Sequence, residues 1–350
     1  MFSTKKRTYK QHYNEKDSFY KYSSPKFTKQ QALSENINTD ICIVGGGLTG
    51  ISAALNLADQ GYDVCILEAN KIGSGASGRN GGQLGIGMRK DQLYLENKFG
   101  FEKAEFFWNI GLDAVKNVTN LISKHNIDCA LKPGILHAGN TKKDYKFFLE
   151  EIEHMKSKYN YDNYEYFDEN DIKDEVNTDQ YYSGLLTKDS FHLNPLKLTY
   201  GLANQCLGKG IKIFENSPID KIEEIGNDIQ LFSKNAVIKS KKVIIACNGY
   251  LDNLLGSVSN FFMPINNYII ATEPLGEKLA RQIIKRNCGV VDSRFMIDYY
   301  RFSEDHRLLF GGPETLTSKF VNNPVEFVSK RLFRVFPDLK NYKIDFSWGG

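Results

Sequence analysis

Gly45, Gly47, Gly50 and Glu68 have the types and spacing of a site for a diphosphate-bridged nucleotide. The run Gly45-Gly46-Gly47-Leu48-Thr49-Gly50 fits GxGxxG. In that pattern the first glycine permits a tight turn, the second lets a pyrophosphate approach bare backbone, and the third lets helix and strand pack closely. A helix starting there offers unpaired N–H groups and partial positive charge to phosphate oxygens. Glu68 would accept hydrogen bonds from an adenosine ribose, and its charge disfavours a 2′-phosphate. The spacing by itself is weak, and only its setting between a strand and a helix gives it force.

A second cluster narrows the ligand. Residues 72–87 carry glycine at 73, 75, 78, 81, 82, 85 and 87. A nicotinamide dinucleotide has no use for such a loop, because the next strand–helix unit would begin there. A longer cofactor crossing the sheet does, and FAD is the one expected. Small residues and bare N–H groups would line its pyrophosphate and ribityl chain, with donors added by Arg79 and Asn80. The alternative is a flexible loop, since glycine is also the residue of loops.

The elements that must hold these residues follow from periodicity. Asp40–Val44 reads as a strand, and apolar residues from Leu48 to Ala58 recur at helical spacing until Gly61; Asp63–Leu67 is a second strand. That is a compact βαβ unit of a parallel sheet. Residues 91–125 and 141–158 read as amphipathic helices, with Phe101, Phe106, Phe107 and Trp108 as core, and 159–179 as acidic surface. Pro195 opens a helix through Cys206, followed by strands at 211–214 and 242–246 and an antiparallel pair at 220–225 and 229–232. Residues 261–273 and 293–311 alternate like strands of another sheet. The expected fold class is α/β: a Rossmann-like FAD-binding domain from 39–90 and 190–250, and a discontinuous α+β substrate domain with a mixed sheet from 91–189 and 251–345. Residues 1–38 are expected as an extended arm.

Composition bounds the function. The net charge of +3 argues against a dedicated nucleic-acid binder. No apolar run approaches the ~18 residues of a membrane span. The six cysteines form no CxxC pair and no His/Cys cluster with metal-ligand spacing, so no metal is expected and a reducing, cytoplasmic setting fits.

GGGLTG, then LEA, then IGSGASGRNGGQ resembles the D-amino-acid-oxidase-type FAD-dependent oxidoreductases, and the GASGRNGGQ wording is most similar to the gamma-glutamylputrescine oxidase branch. HLNPLKL, NSPIDKIE, VIIACNGY, IIATEPL and YYRFSEDHRLLFGG extend the likeness along the chain. The resemblance implies that Gly45, Gly47, Gly50 and Glu68 hold the ADP half and that Ala76 and Ser77 contact the pyrophosphate. Arg79, Asn80, Gly81, Gly82 and Gln83 would run toward the flavin ring, Ile219 would meet adenine, and Ala246 would close the cofactor site. It implies a non-covalent FAD and oxidation of a C–N bond in a small-molecule amine or amino acid, possible substrates including gamma-glutamylputrescine. Electrons would pass to oxygen, with another acceptor or a shortened, non-catalytic relative as alternatives. In such a family the strand holding Tyr299, Tyr300 and Arg301 faces the flavin, so Tyr300 and Arg301 are the catalytic candidates. Arg301 would bind a substrate carboxylate, unless the pair is merely structural. Tyr268 reads as packing, and His192 and His306 as structural or surface. The stretch Phe346–Gly350 resembles the point where the family's chains return to the FAD domain, so a further strand, turn and helix of that domain are expected to be missing. Oligomeric state is left open.

Overall fold

The computed structural model describes residues 18–252, 254–259, 261–316 and 320–350. Of the expected arm, residues 1–17 lie outside the described residues. Its remainder is not simply extended: Phe19–Ser23 is a helical turn with Phe19 and Tyr20 buried.

One six-stranded sheet contains β1 (Ile37–Val44), β2 (Val64–Leu67), β7 (Lys212–Phe214), β8 (Ile219–Ile225), β9 (Asp228–Ser233) and β10 (Val237–Ile245). Its order is β7-β2-β1-β10-β9-β8; β7, β2, β1 and β10 run parallel, and the β8–β9 hairpin closes it antiparallel. Alternation along a strand sends neighbouring side chains to opposite faces. Accordingly Ile41 and Ile43 pack with Ile51, Ala54 and Leu55 of the helix Leu48–Asp59 and with Leu198, Ala203 and Cys206 of the helix Pro195–Gly208. Cys42 and Val44 face a smaller core with Leu231 and Ile238. Cys42 and Cys65 are register partners, and the neighbouring thiol together with burial holds the Cys42 thiol protonated.

The second sheet contains β3 (Gln83–Leu84), β4 (Lys132–Gly139), β5 (Tyr164–Phe167), β6 (Ser183–His192), β11 (Asn266–Thr272), β12 (Gly289–Asp292), β13 (Tyr299–Phe302), β14 (Leu308–Thr315) and β15 (Ile344–Gly349). Its order is β15-β11-β14-β13-β12-β4-β6-β3, with β5 on β6. It is mixed, since β4 and β12 run parallel while their neighbours are antiparallel. The helix Pro324–Val335 packs on it through Val328, Leu332 and Val335, in a core with Tyr268, Ile270, Tyr300 and Phe310. Asn323 and Asn194 cap their helices and a proline follows each, the pairing that favours a helix start. The fold is thus α/β with a second, mixed-sheet layer.

Several local expectations need correction. The helix expected over 91–125 is two, Gln92–Phe99 and Phe101–Lys124, divided at Gly100 with φ +83°. Its buried row is Ala104, Trp108, Gly111, Val115 and Ile122, at helical spacing. Phe101 and Phe106 fall off that row and are 42% and 61% exposed. The acidic stretch 159–179 is not all surface: Tyr161 is buried with Trp108 and Met155, and β5 and the helix Glu169–Glu175 bury Phe167 and Ile172. β3, within 39–90, pairs with β6 of the mixed sheet, and β6 runs past residue 190 to His192. Among the described residues no helix is long and apolar enough to cross a membrane.

Candidate functional site

The chain leaves β1 through a turn that only glycine tolerates. Gly45 has φ +118°, and a Cβ there would lie 2.4 Å from the Ala246 carbonyl oxygen. A Cβ on Gly50 would lie 2.0 Å from the Gly45 carbonyl oxygen, so bare backbone is what lets the helix start pack on the turn. Gly47 is the helix N-cap; a Cβ on it would lie 2.7 Å from Ser77 Oγ. Ser77 Oγ accepts from the Leu48 N–H at 3.0 Å, so one unpaired amide of the helix start is met by the glycine-rich loop itself. Glu68, at the end of β2, accepts from the N–H of Gly46 at 2.7 Å and of Asn70 at 2.8 Å. Burial raises its carboxyl pKa, against the lowering effect of those two bonds. A cavity of about 470 Å³ opens over this turn. Gly45, Gly47, Glu68, Ala76, Ser77, Ile219 and Ala246 all line it, while Gly50 shapes it from behind.

The loop after β2 leads to a second cavity of about 440 Å³, with Ala76 and Arg79 common to both. Arg79 ties the loop to β15: its Nε donates to the Gly349 carbonyl, and its own carbonyl accepts from Trp348 Nε1 at 3.0 Å. Asn80 was expected to offer donors to a ligand. Instead its Nδ2 donates to the Ala76 and Ser77 carbonyls, and its Oδ1 accepts from the Gly82 N–H at 2.8 Å. Those bonds fold the loop, although Asn80 also lines the second cavity. Gly81 lies against the Tyr299 ring, and Gly82, at φ +70°, against the Leu193 carbonyl. Gln83 lines the second cavity while its Nε2 donates to the Val290 carbonyl at 2.9 Å.

β13 separates the two catalytic candidates. Tyr300 points into the second core, stacked on Phe310, and its hydroxyl donates to Tyr181 Oη at 3.0 Å. It lines neither cavity. Arg301 is on the opposite face but is buried: Nε donates to the Gly81 carbonyl at 3.0 Å, Nη2 to Tyr20 Oη at 3.1 Å and Nη1 to the Phe302 carbonyl at 3.3 Å. The guanidinium therefore braces the loop from behind. Tyr299 is the β13 residue that lines the second cavity, with Asn267, Ile297 and Glu314 beside it. Sequence reasoning missed those three; period two along β13 would have singled out Tyr299 once Tyr300 was put in the core. The Tyr268 hydroxyl bonds Thr315 Oγ1 at the end of β14 and accepts from the N–H of Val321 beyond it. His192 Nε2 meets the Asn287 carbonyl at 2.7 Å, and burial, helped by Arg301, pulls its pKa down to about 3. His306, at φ +61°, sits in the turn before β14. Among the described residues no group of three or more His, Cys, Asp or Glu could hold a metal.

Residues 40–350 match the family described as FAD dependent oxidoreductase, abbreviated DAO. The chain belongs to that family. Gamma-glutamylputrescine oxidoreductase of Escherichia coli (strain K12) is 35% identical to this oxidoreductase over 95% of this chain and 78% of the relative. The probable oxidoreductase OrdL of Haemophilus influenzae is 34% identical over 91% of this chain and 74% of its own. Among solved structures, glycine oxidase from Bacillus cereus ATCC 14579 has the same fold at TM-score 0.69 and 19% identity, covering 89% of this chain and 82% of that one. So does L-alpha-glycerophosphate oxidase from Mycoplasma pneumoniae with FAD bound, at TM-score 0.66 and 15% identity, covering 89% and 83%. FAD is the cofactor of this DAO-family enzyme, and the site fits it. The glycine turn keeps Cβ atoms away from one cavity, and a glycine-rich loop carries that cavity's wall into the next.

Proposed function

We propose that this DAO-family oxidoreductase oxidises a carbon–nitrogen bond of a small amine or amino acid to an imine and passes the electrons to oxygen. The observation that carries this reading is the junction at Ala76 and Arg79, where a cavity walled by bare backbone meets one walled by polar side chains of the other sheet. In this reading Gly45, Gly47 and Gly50 shape the ADP site and Glu68 takes the ribose hydroxyls. Ala76 and Ser77 meet the pyrophosphate, Ile219 the adenine, and Ala246 closes the edge. Arg79, Gly81 and Gln83 face the flavin, while Asn80, Gly82 and Arg301 hold that loop in shape. The first sheet with its two helices serves as the FAD-binding unit and the mixed sheet as the substrate unit.

Bound FAD supplies a two-electron acceptor for the hydride that leaves the carbon beside a neutral amine nitrogen. The protein's part is to orient that carbon and exclude water, with Tyr299, Asn267 and Gln83 among the polar groups that line the second cavity. Burial first, then Tyr20 and Glu314, raise the Tyr299 pKa, so its hydroxyl stays protonated as a hydrogen-bond donor. The imine adds water to give a carbonyl and the free amine or ammonia, and oxygen leaves as hydrogen peroxide. The Escherichia coli relative makes a γ-glutamylated diamine the first substrate to try. A cytoplasmic setting is supported by six cysteines that all stand as free thiols.

The test is to purify the protein with FAD, remove oxygen, and add a panel of amines and amino acids. Bleaching of the flavin absorbance, followed by stoichiometric peroxide on admitting air, supports the reading. Failure to retain FAD through gel filtration removes it. Bleaching that is reversed only by an artificial acceptor replaces oxygen with an electron carrier.

A further inference from the structure

The second cavity is lined by a carboxylate, Glu314, that forms no ion pair among the described residues. Glu314 sits near the end of β14, half-buried, with its side chain in the cavity wall. Among the described residues no Lys, Arg or His pairs with it. Other buried or half-buried acids of the same sheet region are paired: Glu165 and Glu175 share Arg286, and Asp298 meets Arg331 and Arg334. The cavity's other charged residue, Arg79, has its Nε engaged by the Gly349 carbonyl.

The surroundings are built around this carboxylate. Asn267 faces Glu314 across the β11–β14 ladder. Tyr299 lies so close over Gly311 that a Cβ there would come within 2.4 Å of its ring, and its hydroxyl donates to Asn267 Oδ1. Glu314 also contributes, after burial and Tyr20, to keeping the Tyr299 hydroxyl protonated, which places its charge near that group. A partly desolvated anion lacking a partner favours a cationic ligand and repels an anionic one.

We infer that Glu314 is a specificity determinant, its carboxylate receiving an ammonium group of the substrate and selecting cationic amines over amino acids with a carboxylate beside the reacting nitrogen. This inference rests on the proposed amine oxidation and goes beyond it, because that chemistry serves amines and amino acids alike. A diamine presents the required charge on the nitrogen that does not react, while the reacting nitrogen is neutral; glycine presents an opposing carboxylate within two bonds of its nitrogen.

The FAD-loaded protein is compared with Glu314→Gln and Glu314→Asp, and with Glu326→Gln as an exposed control. Calorimetry measures binding of choline, whose quaternary nitrogen cannot undergo the amine reaction, and of its neutral isostere 3,3-dimethylbutan-1-ol. The wild type should bind choline at least about tenfold more tightly than the isostere, and Glu314→Gln should lose that margin while Glu314→Asp keeps most of it. Anaerobic flavin bleaching should show the KM for putrescine rising about 10-fold or more in Glu314→Gln, with kcat changed less than about threefold and glycine unaffected or improved. Equal wild-type binding of choline and its isostere overturns the inference even if the glutamine variant fails to fold. So does equal choline binding by wild type and Glu314→Gln. Amines that bleach wild type and Glu314→Gln alike leave the oxidase reading standing and remove Glu314. Charge-selective choline binding with no bleaching by any amine removes the oxidase reading and leaves the cation site.

Discussion

Glycine works by two separable effects, close approach and backbone angle, and single substitutions at Gly50 and Gly61 tell them apart. At Gly50 a methyl would meet the Gly45 carbonyl oxygen at 2.0 Å and Ile43 Cγ2 at 3.1 Å. Overpacking of this kind costs about 1–3 kcal/mol, and here it also pushes the turn into the first cavity. Gly50→Ala should lower the unfolding free energy read from urea titration by that amount and abolish FAD retention. Gly61 has φ +86° with nothing within 4 Å of an added Cβ. Gly61→Ala should cost only about 1 kcal/mol through its backbone angle and leave FAD affinity unchanged. Equal FAD loss in both variants would contradict the close-approach account. Glu68 carries the pH dependence at this scale. Its folded-state carboxyl is shifted upward, chiefly by burial. A raised carboxyl pKa means the folded state holds its proton more tightly, so the stabilisation is complete below the ordinary glutamate range and is lost as pH rises through the folded value. The stability of apo-protein relative to Glu68→Gln should therefore fall as pH rises above the ordinary glutamate range. The same substitution should weaken FAD by about 10-fold, the loss expected of one charge-assisted acceptor. A difference in stability that is flat with pH would refute the shift.

At the scale of elements, β13 shows what a strand's alternation decides and what it leaves open. Tyr299, Tyr300 and Arg301 are adjacent in sequence, yet one lines the second cavity, one is in the second core and one braces the loop. Sequence pattern could place all three on a strand, but not say which face of β13 was toward the cavity. Arg301 is a good guess for a carboxylate anchor on type alone; its neighbours Gly81, Phe302 and Tyr20 are distant in sequence or backbone atoms, invisible to pattern. The glycine turn, Glu68 and the 72–87 loop were legible because their chemistry is local: a strand end, a helix start and bare amides. Glu314 and Asn267 were not, since they become neighbours only when β11 and β14 pair. Arg301→Lys removes the planar fork that serves three acceptors at once. It should cost about 2–3 kcal/mol and raise the FAD dissociation constant, with KM rising no more for carboxylate-bearing substrates than for plain amines. A KM increase confined to carboxylate-bearing substrates would restore the anchoring role. Tyr300→Phe loses the bond to Tyr181, about 1 kcal/mol, and should leave kcat unchanged.

Across the whole molecule, the two cavities belong to different sheets, and their alignment depends on a small set of ties at the seam. β3 joins the glycine-rich loop to β6, Arg79 bonds the Gly349 carbonyl, Trp348 Nε1 bonds the Arg79 carbonyl, and Tyr20 packs edge-on against Trp348 with ring centroids 5.2 Å apart. A ligand that must lie across both cavities binds only when the seam is closed. A variant that loosens the seam should then lose affinity for FAD beyond any general loss of stability, because the competent arrangement is less populated. Trp348→Phe keeps most of the buried ring and removes the bond to Arg79. Its melting temperature should fall by about 2 °C and its FAD dissociation constant rise about fivefold. Ile66→Val, in the core of the first sheet and away from the seam, should cost about 0.5–1.5 kcal/mol with FAD affinity unchanged. Thermal scans of apo-protein and fluorescence titration with FAD give both quantities. A Trp348→Phe protein that melts earlier yet binds FAD like wild type would mean that the seam is rigid without this tie, and that the β2–loop wall alone sets the cofactor's path.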